Sequence, residues 1–448
     1  MIKKIKWNDP NVLGNLVLDF SKPGGGVYNT IVIAGENGTG KTNILETLST
    51  FLNLGTMEPF SEITYEINGS EYRITPLETY EHAGFHNRTK LSDGTSTLIN
   101  SSSPSNVNED PLDIRHYGCA YTKARSGFST KPIKSTTTEQ LDNSKFENDE
   151  SDDYTKTKQL LIDIKMQDDS AWARKCSTGT TMTYLQFCST SKTYRFQNAF
   201  NNFFETLQYI GIDGESASEL NVLFSKNSKS VSIDRLSTGE KQVVYRGAHL
   251  LKNSNNLEGG AILIDEPELS MHPKWQEKVF EYYRGLFLKN GIQTTQIFFA
   301  THSEYVVRSA LRDPDNVLVI ILSDHNGTIT SDRINNIVLP TTTAAEVNYL
   351  AFDIKSIDYH IALYGDLQVQ TSKSKILEMD RYIELQPEYD ATIHEKDDNS
   401  TFGHYKTLPT YIRNAIDHPD SGRNYSEADL ETSIKLLRVI CKRIRSTP

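Results

Sequence analysis

Two periodicities alternate along this chain. Residues 14–20 (GNLVLDF) switch between apolar and polar at nearly every step, and residues 29–34 (NTIVIA) form a short apolar run. The first pattern predicts a half-buried strand, the second a strand covered on both faces. A glycine-rich turn follows, and from Lys41 onward Ile44, Leu45 and Leu48 fall on one face of a helix. Residues 63–74 (ITYEINGSEYRI) read as a hairpin turning at Asn68-Gly69, a pair that tolerates two successive positive φ angles. Residues 91–110 are rich in Ser, Thr, Asn and Pro, which predicts a mobile loop, and residues 114–125 (IRHYGCAYTKAR) begin as another strand. Residues 129–154 are polar and carry an acidic run at 147–153, predicted to be solvated or disordered. Between 158 and 210, helical and aromatic stretches such as FQNAFNNFFETLQYI predict a helical lobe.

The earlier pattern then returns: turn, helix, buried run at 261–264, helix, buried run at 296–300. After about residue 325 the periodicity becomes helical, at 338–370 and 407–445. The expected fold is therefore α/β, a mixed sheet with flanking helices. Its core comes from residues 1–55 and 230–325, interrupted by an insertion at 56–229 and followed by a helical region at 326–448. No internal repeat and no long heptad run is visible, which argues against a long coiled-coil arm.

Composition narrows the picture. The chain has 448 residues, 37% hydrophobic and 23% charged, and no run approaches the roughly 18 apolar residues of a membrane span. The opening MIKKIKW has no apolar signal core, so a cytoplasmic protein with no membrane partner is expected. Cys119, Cys176, Cys188 and Cys441 are scattered and read as reduced thiols, not a zinc site. A net charge of −11 makes bulk attraction to nucleic acid unfavourable.

Four short segments carry chemistry. Residues 35–42 (GENGTGKT) fit G-x-x-x-x-G-K-[ST] between a buried strand and a helix. In that setting the backbone of Gly35, Asn37, Gly38, Thr39 and Gly40 cradles phosphates. Lys41 supplies positive charge, and Thr42 is a Mg²⁺ ligand. Residues 261–267 (AILIDEP) end a strand in two carboxylates: Asp265 to hold Mg²⁺ and Glu266 to polarise an attacking water. Residues 235–242 (RLSTGEKQ) place Ser237, Thr238, Gly239 and Glu240 at the start of a helix. His302 follows a buried strand in FFATHSEY. A plain structural reading stands beside each: a glycine turn, acidic residues capping the next helix, Ser237 capped by Glu240 in a capping box, and a structural histidine.

Taken in order, these segments resemble ABC-type ATPases, and DEPELSMHPKWQ is similar to the Rad50, RecF and OLD branch. The resemblance covers residues 1–55 and roughly 230–325 and implies ATP and Mg²⁺ as ligands. It implies a signature (Ser237 to Glu240) acting in trans on nucleotide held by a second copy, with Glu266 and His302 as catalytic residues. The chain departs from the pattern in lacking a clear Q-loop glutamine. Lys123 or Arg125 in YTKARSG stands in that region, resembling the basic residue of OLD-type ATPases, or is an ordinary solvated side chain.

In the last third, NVLVIIL is followed by SDHNG and not by the carboxylates of a TOPRIM nuclease. A nuclease would then be a separate subunit, of HNH or TOPRIM type. The segments AAEVNYLAFDIKSIDYHIALYG and LPTYIRNAIDHPDSG resemble the C-termini of ATPase subunits of bacterial anti-phage defence systems, of Septu type first and PARIS type next. Arg413 and His418 also match the R-x4-H spacing of HEPN ribonucleases, with His418 as base and Arg413 as phosphorane stabiliser; their alternative is an ordinary helix C-cap. Three functions follow as expectations. The first is a regulatory ATPase, at least an ATP-bridged homodimer, acting on a partner nuclease and through it on nucleic acid. The others are a self-contained ATP-gated ribonuclease and a DNA-repair ATPase.

Overall fold

The buried runs converge on one sheet. In a computed structural model, which describes residues 1–77, 84–125, 127–147, 153–213, 219–334, 337–396 and 404–446, seven strands lie side by side. Their order is Thr328–Arg333, Val317–His325, Thr30–Gly35, Gln296–Thr301, Ala261–Asp265, Cys119–Thr122 and Phe146–Glu147. All neighbours are parallel except the first pair, so the sheet is mixed. Val32 stands opposite Phe299 and Val319, and Leu263 opposite Phe298 and Tyr121. The strands Thr30–Gly35, Gln296–Thr301 and Ala261–Asp265 are buried throughout, which is why they read as continuous apolar runs.

A second, antiparallel sheet has the order Val17–Asp19, Ile2–Trp7, Phe60–Ile67, Ser70–Pro76, His86–Lys90, Ser96–Ile99. Its hairpin turns at Asn68 (φ 50°) and Gly69 (φ 74°), as that dipeptide predicts. The helix Lys41–Leu52 shares one core with both sheets: Ile5 and Trp7 from the antiparallel sheet, Ile44, Leu48 and Phe51 from the helix, Leu263 and Phe298 from the central sheet. The helix axis therefore starts at the carboxyl ends of the parallel strands, where open α/β sheets bind ligands.

Several expectations change. Residues 91–110 contain the strand Ser96–Ile99 and the helix Pro104–Glu109, because partners on His86–Lys90 satisfy the strand backbone. Within 114–125, Ile114–Tyr117 is a 3-10 turn capped by Asp113, and the strand is Cys119–Thr122, parallel to Ala261–Asp265. The span 56–229, read as an insertion, thus contributes strands to both sheets. Part of the acidic run, residues 148–152, lies outside the described residues. Residues 153–232 hold the helices Thr155–Ser177 and Tyr194–Phe203 and a three-stranded sheet of Leu207–Asp213, Asn221–Lys226 and Lys229–Ser232. Phe200, Tyr209 and Phe224 pack edge to face or tilted there.

The chain divides into the units Met1–Arg333 and Ile334–Pro448. Residues 328–333, expected in the helical region, instead form the antiparallel edge strand. The second unit is helical: Ala344–Phe352, Ile357–Thr371, Ile376–Glu384, Leu408–Asp417 and Glu427–Ser446. Tyr359, Leu363, Leu367, Met379, Ile412, Ile434 and Leu437 belong to its core. Among the described residues, no helix is long and apolar enough to cross a membrane.

Candidate nucleotide site

The strand Thr30–Gly35 runs into the loop at residues 36–40, and the helix begins at Lys41. Gly40 takes φ 82°, and a Cβ there would meet Leu13 Cδ2 at 2.6 Å. At Gly35 a Cβ would strike the carbonyl oxygen of Leu322 on the neighbouring strand. Both positions therefore require glycine. Thr39 closes the loop by donating from Oγ1 to Glu36 O at 2.8 Å, and leaves Asn37 and Gly38 exposed. Lys41 is buried, and its ammonium donates to Gly35 O at 2.8 Å and Glu36 O at 2.7 Å. Burial pushes the Lys41 pKa down, opposed by the charges of Glu266, Asp265, Glu268 and Glu36. A cation held among its own loop carbonyls at a helix start is a charge placed for anions.

Across the sheet, Thr42 Oγ1 donates to Asp265 Oδ2 at 2.9 Å. The other oxygen, Asp265 Oδ1, is buried and has no hydrogen-bond partner. Burial pushes the Asp265 carboxyl up, the Thr42 bond pulls it down, and the adjacent Glu266 charge raises it again. An unpartnered carboxylate oxygen beside a threonine hydroxyl fits the donor set of Mg²⁺. That ion takes one or two protein oxygens and fills its octahedron with phosphate and water. Among the described residues no cluster of three or more His, Cys, Asp or Glu exists that would hold a metal ion alone.

The desolvated Asp265 charge gives a testable consequence. A carboxyl whose folded pKa lies above its unfolded value binds more protons folded than unfolded, so its contribution to stability falls as pH rises through that window. Asp265→Asn removes this cost at neutral pH. The nucleotide-free protein should then melt about 1–3 °C higher, while Mg²⁺-dependent stabilisation by ATP disappears; differential scanning calorimetry with and without Mg²⁺·ATP reads both.

Glu266 and His302 meet at the same strand ends. His302 Nδ1 lies 3.4 Å from Glu266 Oε1, with the side chains 40% and 25% exposed. Glu266 N donates to Ala300 O at 2.8 Å, tying the acidic strand end to the histidine strand. A carboxylate missed as a separate functional group is Glu268. It is buried, and its Oε1 accepts from Thr301 Oγ1 at 2.6 Å and from His302 N at 3.1 Å, whereas Oε2 has no partner. Burial holds its carboxyl above the usual range. Glu268 fixes the backbone that presents His302, and the third acid in DEPE was its visible signal.

The signature segment opens the helix Thr238–Lys241. Ser237 Oγ caps the helix by accepting from Glu240 N, and Glu240 Oε2 returns to Ser237 N at 2.8 Å, a complete capping box. Lys226 Nζ adds a 2.6 Å bond to Glu240 Oε1. Burial opposes ionisation of Glu240, but the Lys226 and Ser237 bonds keep its carboxyl below the usual range. The capping reading of Glu240 is therefore realised: its carboxylate is engaged within its own chain. Ser237 and Thr238 are exposed, and Gly239 is buried so closely that a Cβ would meet Ser270 O at 2.8 Å.

The remaining candidates separate. Lys123 pairs with Glu46 at 3.1 Å, just past the strand end at Thr122, and Arg125 is buried with its guanidinium 5.9 Å from the Tyr154 ring centroid. In the second unit, Arg413 pairs with Asp417 at 2.6 Å and donates to Asn414 Oδ1 at 3.2 Å. His418 is the exposed C-cap of that helix, its N–H bonded to Asn414 O at 3.0 Å. Arg413 is thus engaged by Asp417 and Asn414 of its own helix, and His418 stands at that helix's C-cap position.

Comparison with known proteins agrees with the first unit. Residues 127–308 match the family model described as "AAA domain, putative AbiEii toxin, Type IV TA system". That span is less than half of the chain; it contains the signature, the acidic pair and His302 but not the phosphate loop. The chain is 29% identical over 108 residues to a retron Vc95 probable ATPase of Vibrio cholerae serotype O1 biovar El Tor, covering 22% of this chain and 20% of that protein. It is 31% identical over 110 residues to a retron Ec83 probable ATPase of Escherichia coli, covering 22% and 19%. It spans about a fifth of the length of these curated relatives. Among solved structures it resembles an SMC head bound to the C-winged helix domain of ScpA (TM-score 0.40, 15% identity, 74% of this chain and 98% of that one). It also resembles the SMC head domain from Thermotoga maritima (TM-score 0.37, 14% identity, 75% and 99%). The family matched over residues 127–308 is described as an AAA domain, and both curated relatives are named probable ATPases.

Proposed function

We propose that this chain binds and hydrolyses ATP at a site completed by a second copy, and that the ATP-dependent association regulates a partner nuclease in anti-phage defence. The observation that carries the ATPase reading is the meeting of three groups at the carboxyl ends of the parallel strands. These are the Lys41 ammonium in its glycine loop, the half-satisfied Asp265 beside Thr42, and the Glu266–His302 pair. Mg²⁺, when bound, would be held by Thr42 and Asp265 and would supply positive charge to offset that of the phosphates. In this reading the loop backbone and Lys41 bind the phosphates. Glu266 accepts the proton of the attacking water, and His302 donates to the phosphoryl oxygen. Ser237 and Thr238, exposed at a helix start, face the nucleotide of the other copy.

The regulatory half of the proposal is supported by names and by chemistry. The matched family is described with a toxin–antitoxin system, and two relatives are named as retron ATPases. A site shared between copies has different nucleotide affinity in associated and separated states, which is what coupling requires. The ribonuclease alternative is weakened by the ion pair that occupies Arg413.

Native mass spectrometry of complexes purified with their neighbouring gene products, with and without Mg²⁺·ATP, tests the proposal. The expected result is an ATP-dependent doubling of this chain and a co-purifying nuclease. A chain that purifies alone and cleaves RNA would overturn it.

A further inference from the structure

The helix that opens at Ser237 changes pitch. Thr238–Lys241 is α-helical, Gln242–Arg246 is a π-helix, and Gly247–Lys252 returns to α. Such wide turns are rare and concentrate where a side chain must be redirected for function. Here the redirected group includes Arg246, which is fully buried.

The donors of that guanidinium are spent on two strand ends and one glutamine. Nε donates to Thr122 Oγ1 at 2.6 Å and Nη2 to Thr122 O at 3.1 Å. Nη1 donates to Glu266 O at 2.9 Å and Nη2 to Asp265 O. Nη1 also reaches Gln242 Oε1 at 3.4 Å, while the Gln242 amide donates to Arg125 O. Glu266 itself has φ 43°, a left-handed conformation that an L-residue adopts only when its surroundings impose it. One planar fork therefore grips the carbonyls of Asp265 and Glu266, the two peptide groups that bracket this inversion.

We infer that Arg246 is a positioning residue for hydrolysis. It holds the inverted backbone that aims Glu266 at His302. Because it rides on the helix whose first turn presents Ser237 and Thr238, it also ties the signature to the acidic strand end of the same chain. Engagement of Ser237 and Thr238 by the other copy's nucleotide is thereby transmitted to this chain's own Glu266. The inference rests on the ATPase reading above and names the part that aligns it.

The experiment compares wild type, Arg246→Lys and Thr122→Val for fluorescent-ATP affinity, kcat, KM and melting temperature. Lysine keeps the charge but loses the planar fork. Arg246→Lys should bind ATP within threefold of wild type and lose at least about 30-fold in kcat per folded molecule, a kcat loss at unchanged affinity. Thr122→Val, nearly isosteric, frees only Nε and should lower kcat about 3- to 10-fold, again at unchanged affinity. If Arg246→Lys does not fold, Thr122→Val decides. Unchanged kcat per folded molecule in a folded Arg246→Lys, or in Thr122→Val when the lysine variant does not fold, would overturn the inference in favour of a purely structural arginine. Wild type that binds but never hydrolyses ATP would instead sink the ATPase reading, a separate outcome.

Discussion

Replacing Glu266 by glutamine is expected to lower ATP turnover about 10²–10⁴-fold, the usual worth of a positioned general base. Nucleotide affinity should stay near that of wild type. The amide keeps the shape of the carboxylate and can still meet His302 Nδ1, which lies 3.4 Å from Oε1. The positive φ at position 266 also tolerates glutamine as well as it tolerates glutamate. What is lost is the ability to take a proton from water. With hydrolysis stopped, the ATP-bridged assembly should persist, so light scattering with Mg²⁺·ATP should show a stable doubled mass that wild type shows only transiently. Turnover within threefold of wild type would remove Glu266 from the chemistry and direct attention to Glu268, the other carboxylate beside His302.

The second large effect is at Lys41. Lys41→Ala should weaken ATP binding about 100-fold or more, the equivalent of roughly 3 kcal/mol for a charge-assisted contact in a partly desolvated site. The folded state should survive, because the helix face that packs the core is carried by Ile44, Leu45, Leu48 and Phe51. Two loop carbonyls, of Gly35 and Glu36, lose their donor, but the loop is open to water at Glu36 to Gly38. A titration with a fluorescent ATP analogue measures the affinity. The same preparation heated with Mg²⁺·ATP should show no upward shift in melting temperature, where wild type shows one by mass action. Affinity within threefold of wild type would place the nucleotide elsewhere.

The two experiments separate binding from turnover. In the proposed mechanism Lys41 touches the phosphates in both ground and transition states, so its loss should fall on affinity. Glu266, in the same mechanism, acts on the water only as the bond breaks, so its loss should fall on kcat.

How much of this was legible before folding depended on whether the chemistry was local. The phosphate loop is contiguous: a glycine where φ must be positive, a lysine at the next helical position, a buried strand before it. Gly40 and Lys41 therefore carried their meaning in the sequence. The acidic pair, the Ser237 capping box and His302 were equally local, each at the boundary of a single element. Buried parallel strands announced themselves as apolar runs, which gave the α/β class. The hairpin at Asn68-Gly69 was readable for the same reason, since two adjacent residues dictate the turn.

What only the tertiary structure decided were relations between distant segments. Cys119–Thr122 is four residues long and joins the central sheet because Ala261–Asp265, far along the chain, offers it a parallel ladder. Thr328–Arg333 is too polar to read as buried, and it forms a strand because Val317–His325 leaves an antiparallel edge beside it. Arg246 was visible only as a charge within an apolar stretch of helix. That it grips Asp265 and Glu266 depends on a π turn and on strand ends brought together by folding. Sequence by itself marked the groups proposed to act on a phosphate, because that chemistry is written in adjacent residues. The aim of those groups, and the arginine that binds signature to acidic strand end, belong to the fold, because hydrogen bonds between separated segments exist only once the chain has closed on itself.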